Sequence, residues 1–421
     1  MKTTFLLAFA LALTQGGTAA AQAVSSAALR LEDVLSEVKA RNPELLAAKS
    51  LSEMAQSRIK QAYALKDPVL EFERMNTKYG HSFIDDAGDR TIGIKQEIEN
   101  PYKLVLKKRL ARSGASVYAG LYAAQANQVL ARAKTAFYKY YISGKYEEIY
   151  GETADLLKEF SRIAEDRYAT AQGSQSDAIK AHVELSRTIS MLITAQQEKE
   201  AAKALLNALM DRDVEDYLPP PLEADPASSL GEFPRFEAAA LRSNPDILTA
   251  AAKVEEAGGR LELSKAEYLP DLELGYRRRR STDERMDRTY DVNVAVTLPL
   301  GWTGNKRAGI KEARAGRRGA EAEYTLARRG VSLDLKEALI NAKTSLRLLE
   351  LYSTSVIPQA QEALKIAQTA YQSSGGGFLD LLDAERTLLD LKLDFYRYRV
   401  DYQTWLAELE RLTGQDLSEV K

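Results

Sequence analysis

The chain has 421 residues, and its 58 lysines and arginines are balanced by 60 aspartates and glutamates for a formal charge of −2. It has no cysteine and only two histidines, His81 and His182. Disulfides, thiolate metal sites, a thiol nucleophile and an acylated-cysteine anchor are therefore excluded, and the near-neutral charge offers no global field for nucleic acid.

Residues 1–23 read as a cleaved secretory signal. Lys2 gives a positive start, Phe5–Leu13 a short apolar run and Ala21-Gln22-Ala23 a small-x-small cleavage site, so the mature chain is expected to begin at Val24. That run is far below the roughly 20 residues a spanning helix needs, and no later segment qualifies. A membrane location would have to be reached through strands.

A first structural unit spans 24–217. Asn42-Pro43-Glu44-Leu45 opens a helix, and Pro68 precedes a strand at about 69–75, where Leu70 and Phe72 alternate with Glu71 and Glu73. A polar loop (about Asn76–Arg90) leads to a strand at about 90–98 with Ile92, Ile94 and Ile98 on one face, closed by Pro101. An Ala- and charge-rich helix from about Ser116 to Gln172 then turns at a tip, about 172–177, and returns from Asp177 to Met210. The stretch 218–235, with Leu218-Pro219-Pro220-Pro221-Leu222, is a Pro-rich linker.

The second unit, 236–414, repeats the order, and 415–421 is a C-terminal tail. Asn244-Pro245-Asp246-Ile247 echoes the first Asn-Pro, and Pro270 precedes a strand at about 271–278. A polar loop (Arg277–Arg288) and a strand at about 289–298 follow, in which Val292, Val294 and Val296 share a face before Pro299. Tyr371…Gly376…Asp380…Ala384 echoes Tyr168…Gly173…Asp177…Ala181. The offset is roughly 200 residues throughout, far longer than a solenoid repeat, and indicates duplication of one long unit. Two seams with alternating steps of three and four flank the tip at about 373–379. Leu339, Ala342, Leu346, Leu349, Ser353, Val356, Ala360, Ala363, Ala367 and Ala370 run towards it. Leu381, Ala384, Leu388, Leu391, Phe395, Tyr398, Tyr402, Trp405, Leu409 and Leu412 run away from it. This is coiled-coil patterning, in which Pro358 should bend or loosen the first helix and the alanine-rich end by the turn is the narrow one.

The expected fold is mainly α with a small β part: long coiled-coil hairpins and four strands. Four strands cannot close a barrel. If their apolar faces meet lipid, the open edges must pair with other copies, and three copies supply twelve strands, an even number within the range of outer-membrane barrels. The alternative is a small soluble sheet packed on the helices.

The ordered combination of duplicated Asn-Pro motifs, strand pairs and Tyr371-x-x-x-x-Gly376-x-x-x-Asp380-Leu-Leu-Asp383-Ala384 resembles the TolC-type outer-membrane efflux family (outer membrane factors), from Leu31 to about Gly414. The resemblance implies a homotrimer. A transmembrane β-barrel embedded in outer-membrane lipid of a Gram-negative bacterium would continue into a periplasmic α-barrel. A closable tip would meet a periplasmic adaptor (membrane fusion) protein and an inner-membrane efflux pump. Glu71-Phe72-Glu73 and Gln96–Lys103 are similar, more loosely, to the heavy-metal CzcC-like branch. The implied function is the passive exit duct of a tripartite, RND-type efflux system, with heavy-metal cations as one cargo class. The outer component of a type I protein-secretion system and a soluble periplasmic coiled-coil scaffold are the alternatives.

Asp380 and Asp383 lie three apart, hence on one side of a helix. In a trimer they become two carboxylate rings that attract cations, and they match the family's acidic constriction, which makes them the gate candidates, with Asp177 a weaker one. The bland reading is that they are helix N-terminal acids. Gly173, Ser174, Ser374, Gly375, Gly376 and Gly377 are candidates for an adaptor-docking tip, the glycines permitting positive φ and close backbone approach. Pro68, Pro101, Pro270 and Pro299 mark the barrel–helix junctions, where a missing N–H costs little. Arg277-Arg278-Arg279-Arg280, at a strand-to-loop exit, would meet lipopolysaccharide phosphates or be solvated, some pointing into the lumen. Tyr79, Tyr102, Tyr276, Tyr290 and Trp302 fit an interfacial girdle. Neither histidine has a second soft ligand nearby, so no metal site is assigned. With no phosphate loop, zinc motif or nucleophile elbow, the chain is read as a conduit without cofactor, not an enzyme.

Overall fold

Asn-Pro is the motif that starts the helices, because the asparagine side chain caps the first N–H groups while proline, lacking one, fits the first turn. The computed structural model describes residues 28–75, 89–222, 230–281, 288–299, 304–373 and 376–417. The signal segment, Tyr79, His81, Trp302, Ser374 and Gly375 lie outside the described residues. In the first half α1 (Leu31–Arg41) and α2 (Pro43–Gln61) precede β1 (Val69–Met75) and β2 (Asp89–Ile98), then α3 (Pro101–Ala169) and α4 (Gln175–Leu209). The second half has the same order: α5 (Phe233–Ser243), α6 (Pro245–Ala266), β3 (Asp271–Arg280), β4 (Tyr290–Thr297), α7 (Asn305–Leu351), α8 (Ile357–Gln372) and α9 (Phe378–Thr413). The fold is thus mostly helical with one small sheet.

The long helix of the first hairpin starts at Pro101, not near Ser116, and its 69 residues run unbroken to the tip, about 100 Å at 1.5 Å per residue. Its counterpart is interrupted. A π-helical turn at Tyr352–Val356 separates α7 from α8, and Pro358 follows it directly. The carbonyl that proline would block is accommodated by the wider turn.

The repeated asparagines close each half on itself. Asn42 Oδ1 accepts from the N–H groups of Glu44 (3.0 Å) and Leu45 (3.3 Å), while its Nδ2 donates to Leu209 O, at the end of α4, at 2.9 Å. Asn244 Oδ1 accepts from Ile247 N (3.0 Å) and its Nδ2 donates to Leu412 O, near the end of α9, at 2.8 Å. Both are buried. Gly414, with φ +71°, ends α9 where a Cβ would lie 2.3 Å from Ser243 O. Asn42→Ala or Asn244→Ala should each cost about 2 kcal/mol, a lost cap plus a stranded buried carbonyl, read from the urea midpoint of helical circular dichroism in detergent. An unchanged midpoint would refute this.

Three apolar clusters hold the helices. One joins α1, α3 and α4 around Val38, Phe137 and Leu206. Another joins α5, α6, α7 and α9 around Phe236, Leu335 and Tyr402. The third, near the hairpin ends, unites both hairpins through Leu157, Phe160, Ala181, Leu364, Tyr371 and Leu381. Two details of the sequence reading change here. Past the π-turn Ala360 and Ala367 keep their expected places on the seam, but Leu364 and Tyr371 are buried where the alternation placed Ala363 and Ala370. The turn end is also not purely alanine, since Tyr371 and Phe378 pack there with ring centroids 5.3 Å apart. The start of the Pro-rich stretch is docked rather than free: Leu29 N donates to Pro220 O (2.9 Å), Leu222 N to Leu29 O (2.8 Å) and Tyr140 Oη to Leu218 O (3.1 Å).

Candidate functional site

The four strands form one antiparallel sheet, ordered β1-β2-β3-β4. Register puts Leu70, Ile94, Tyr276 and Val292 side by side on one face, and Glu71, Gly93, Arg277 and Asp291 on the other. The apolar face rests on no described helix: Leu70 is 76% and Val292 68% exposed. Packing of the sheet on the helices, the alternative read from the sequence, is therefore not found among the described residues. No described helix is long and apolar enough to cross a membrane.

The opposite face is charged and internally matched. Arg277 reaches Glu71 at 3.2 Å, Lys95 reaches Glu273 at 2.9 Å and Arg279 reaches Asp291 at 3.4 Å. Arg277 sits on β3 and Glu71 on β1, so the arginine crosses β2 at Gly93, where a Cβ would come within 2.8 Å of its Cγ. Glycine at this point makes the crossing possible. These pairs are partly exposed and contribute little stability; what they give is a polar, charge-balanced wall. The arginine run lies within β3, which extends to Arg280, instead of at a strand exit.

The sheet joins the helices at the prolines. Pro68 and Pro270 directly precede β1 and β3, Pro299 lies just past β4, and Pro101 is the first residue of α3. Asp271, opening β3, accepts from Asn100 N (2.9 Å) and from the buried Lys103 Nζ (2.8 Å), while Asn100 Nδ2 donates to Pro270 O at 3.3 Å. The start of the first hairpin is thus pinned to the start of a strand from the other half.

At the far end, Gln172 N and Gly173 N both donate to Arg167 O, at 2.8 and 3.0 Å. Gly173 and Gly376 do the same job in the two hairpins: a Cβ would lie 3.0 Å from Arg167 Cβ at the first and 2.9 Å from Ala370 Cβ at the second. Close approach is the reason for glycine. The positive φ expected of these residues is taken by Ala171 instead, at +59°. Ser174 caps α4, its hydroxyl accepting from Ser176 N at 3.1 Å, and Gly377 stands at the same place before α9, its N–H donating to Asp380 Oδ2 at 3.3 Å. Asp380 is thus a capping acid, as the bland reading had it. Asp380 and Asp383 are nevertheless both exposed, on the side of α9 away from buried Leu381 and Leu382, whereas Asp177 is half-buried.

Sequence reasoning missed the contacts that join the hairpins here. Arg167 lies over the Tyr371 ring, 4.5 Å from its centroid, and donates to the Tyr371 carbonyl and, at 3.2 Å, to Gln172 O. Glu184 of α4 and Glu385 of α9 are both buried, 4% and 3% exposed. Arg386 pairs with Glu184, while Glu385 Oε2 has no hydrogen-bond partner among the described residues. Burial first, and then the Glu184 carboxylate, push Glu385 up to about 7 against the opposing pull of Arg386. The available signal was an acid four residues after Leu381 and three before Leu388, on the apolar stripe. His182 pairs with Glu165 at 2.7 Å, and no group of three or more potential ligands able to hold a metal ion occurs among the described residues.

Comparison with known proteins agrees with this architecture. Residues 238–415 match the family model described as "Outer membrane efflux protein". The cobalt-zinc-cadmium resistance protein CzcC of Cupriavidus metallidurans is 23% identical over 396 residues, spanning 92% of this chain and 90% of that protein. The crystal structure of the outer membrane protein VceC from Vibrio cholerae superposes with a TM-score of 0.77 at 17% identity, over 92% of this chain and 96% of that one. A crystal structure of CusC, described in terms of transmembrane channel formation, gives 0.79 at 16% identity, over 91% and 92%. At these identities the structures establish the fold alone. Residues 238–415 thus carry an outer membrane efflux family domain, in a chain that shares its fold along nine-tenths of its length with outer membrane channels.

Proposed function

We propose that three copies of the chain assemble in the outer membrane as the passive exit duct of a tripartite efflux system. The observation that carries this reading is the segregated sheet with two open edges. An exposed apolar face of this extent has no counterpart in a soluble monomer, which tells against the periplasmic scaffold, and lipid removes its cost. In lipid, however, the unpaired backbone groups of β1 and β4 would each cost several kcal/mol. Pairing β4 of one copy with β1 of the next satisfies them. An even strand number keeps every such junction antiparallel, and three copies close a barrel of twelve strands. The matched charges of the other face then line its lumen.

The helices continue this barrel as a periplasmic tunnel. A cleft of about 730 Å³ between α6 and α7, floored by Gly309, Ala313, Gly316 and Ala320, offers small residues against which a neighbouring helix can pack closely. The tip, with Gly173, Ser174, Gly376 and Gly377, is the docking point for a periplasmic adaptor linked to an inner-membrane pump, which supplies the energy. Asp380 and Asp383 ring the constriction and favour cations. Likeness to the cobalt-zinc-cadmium resistance protein supports heavy-metal cations as cargo.

The test is fractionation of a Gram-negative host making the full chain. The expected product is a heat-resistant trimer in the outer-membrane fraction. Single cysteines placed in β1 and β4 of this cysteine-free chain should form disulfides between protomers. A monomer in the periplasmic extract would overturn the duct. In a deletion strain, restored growth on zinc, cobalt or cadmium supports the metal cargo; protection only against dyes and antibiotics removes it and leaves the duct intact.

A further inference from the structure

Charge is unevenly spread along the two helices that leave the sheet. From its start at Pro101, α3 has no acid before Glu147, and α7 has only Glu312 between Asn305 and Ala320. On α3, Tyr102, Val105, Arg109 and Arg112 follow one another at steps of three and four and form one exposed stripe. Lys107, two residues before Arg109, lies on the opposite side of the helix and pairs with Glu99 at 2.6 Å. On α7 the stripe recurs as Arg307, Lys311, Arg314 and Arg318, all exposed. Val105, Arg109 and Arg112 precede Arg307, Lys311 and Arg314 by 202 residues, the same offset that relates Asn42 to Asn244. The α7 stripe is turned away from α6, because Gly309, Glu312, Ala313 and Gly316 on the other side of α7 line the cleft shared with that helix. Arg109, Arg112 and the four basic residues of α7 make no ion pair or side-chain hydrogen bond with any described residue. A solvated helix face ordinarily mixes both signs at these spacings, and neither stripe contains an acid.

The height of the stripes says what they meet. Tyr63, Tyr102 and Tyr268 are exposed where the sheet joins the helices, the level at which interfacial aromatics belong. Lys108 and Lys306 lie over the rings of Tyr63 and Tyr268, 4.3 and 5.6 Å from the centroids. Arg109 is about 10 Å along the helix from Tyr102 at 1.5 Å per residue, and Arg307 stands in the first turn of α7. Both helices start at the sheet, and Cα–Cβ bonds tilt towards a helix's N-terminus. These long side chains therefore lean back towards the membrane plane, their apolar stems along the helix and their charged ends at the headgroup layer. In the proposed duct that layer belongs to the periplasmic leaflet. Roughly four to eight lysines and arginines beside a spanning segment suffice to gather anionic lipid, and each chain supplies six. Guanidinium groups also match phosphate oxygens in a bidentate fashion.

We infer that Arg109 and Arg112 of α3, with Arg307, Lys311, Arg314 and Arg318 of α7, form a basic collar on the outside of the duct that binds the phosphates of anionic phospholipids in the periplasmic leaflet. The inference rests on the duct reading for its orientation and goes beyond it in naming a lipid ligand and the residues that hold it.

The experiment reconstitutes the full-length protein in phosphatidylcholine vesicles with a trace of spin-labelled phosphatidylglycerol or, in parallel, of spin-labelled phosphatidylcholine. Electron paramagnetic resonance then gives the fraction of each label held motionally restricted at the protein. Phosphatidylglycerol should be enriched by about threefold over phosphatidylcholine, and about 1 M salt should remove most of that preference. The R109Q/R112Q/R307Q/K311Q/R314Q/R318Q variant should lose most of it too, whereas lysine at the five arginine positions should keep it. The comparison of the two lipids on the native chain needs no substitution, so a folding defect in a variant leaves the answer intact. Equal association of both lipids with an inserted trimer overturns the collar alone, as does a preference that survives undiminished in the glutamine variant. A chain that does not insert as a trimer overturns the collar together with the duct.

Discussion

Glutamine at position 385 should make the folded helical part up to about 3 kcal/mol more stable at pH 8 than the native chain. It should also abolish most of the decline in stability between pH 4.5 and 8. Glu385 is buried on α9 facing Glu184, and its carboxyl is pushed from an ordinary 4.5 up to about 7. Between those values the folded chain holds a proton that the unfolded chain has released. Stability from this group is therefore complete below about pH 4.5 and is lost as pH rises through about 7. Above that, the charge is forced into a site where Arg386 is already engaged with Glu184, and Asp390 adds repulsion that Lys392 only partly offsets. Glutamine has the same shape and no charge. Urea midpoints of native and Glu385→Gln protein across this range check the claim. Parallel curves for the two proteins would show that Glu385 titrates normally.

The second large effect is electrical. Planar-bilayer recordings of the Asp380→Asn/Asp383→Asn double variant should show the ratio of cation to anion permeability falling towards one, and block by multivalent cations weakening by about tenfold. Asparagine is the informative replacement at 380, because its side-chain oxygen can still accept from Gly377 N and the first turn of α9 keeps its cap. Half-buried Asp177 should matter less. Unchanged conductance, selectivity and block would leave Asp380 as a helix cap and nothing more.

What could be read in the sequence was whatever is local. Alternation over four residues at 70–73 and eight at 291–298 marked strands with an apolar face, and steps of three and four marked the helices. Asn-Pro was visible as a recurring helix start. What it could not show was that Asn42 and Asn244 also reach the ends of α4 and α9, contacts that span most of each half. Past Tyr352–Val356 the seam kept Ala360 and Ala367, but Leu364 and Tyr371 replaced two alanines as buried residues, because a step of four and a step of three are equally allowed and larger apolar side chains lay one position on. Of the two reasons offered for the tip glycines, close approach holds at Gly173 and Gly376, whereas the positive φ of the first tip sits at Ala171. Arg167, Glu184 and Glu385 were passed over because charged residues on a charge-rich helix look alike until their partners are known. The pairing of Arg277 with Glu71 depends on register between strands about 200 residues apart, which lies beyond the reach of any single-window reading.

The open edges of the sheet have a genetic consequence. In the proposed trimer every protomer lends both edges to its neighbours, so one chain with a proline in the middle of β4 spoils the whole ring. A cell making native and edge-broken chains in equal amounts would assemble intact rings only about one time in eight, since closed symmetry demands three sound copies. Alleles that break β1 or β4 should therefore be dominant. Alleles that unfold the chain before assembly should instead be recessive.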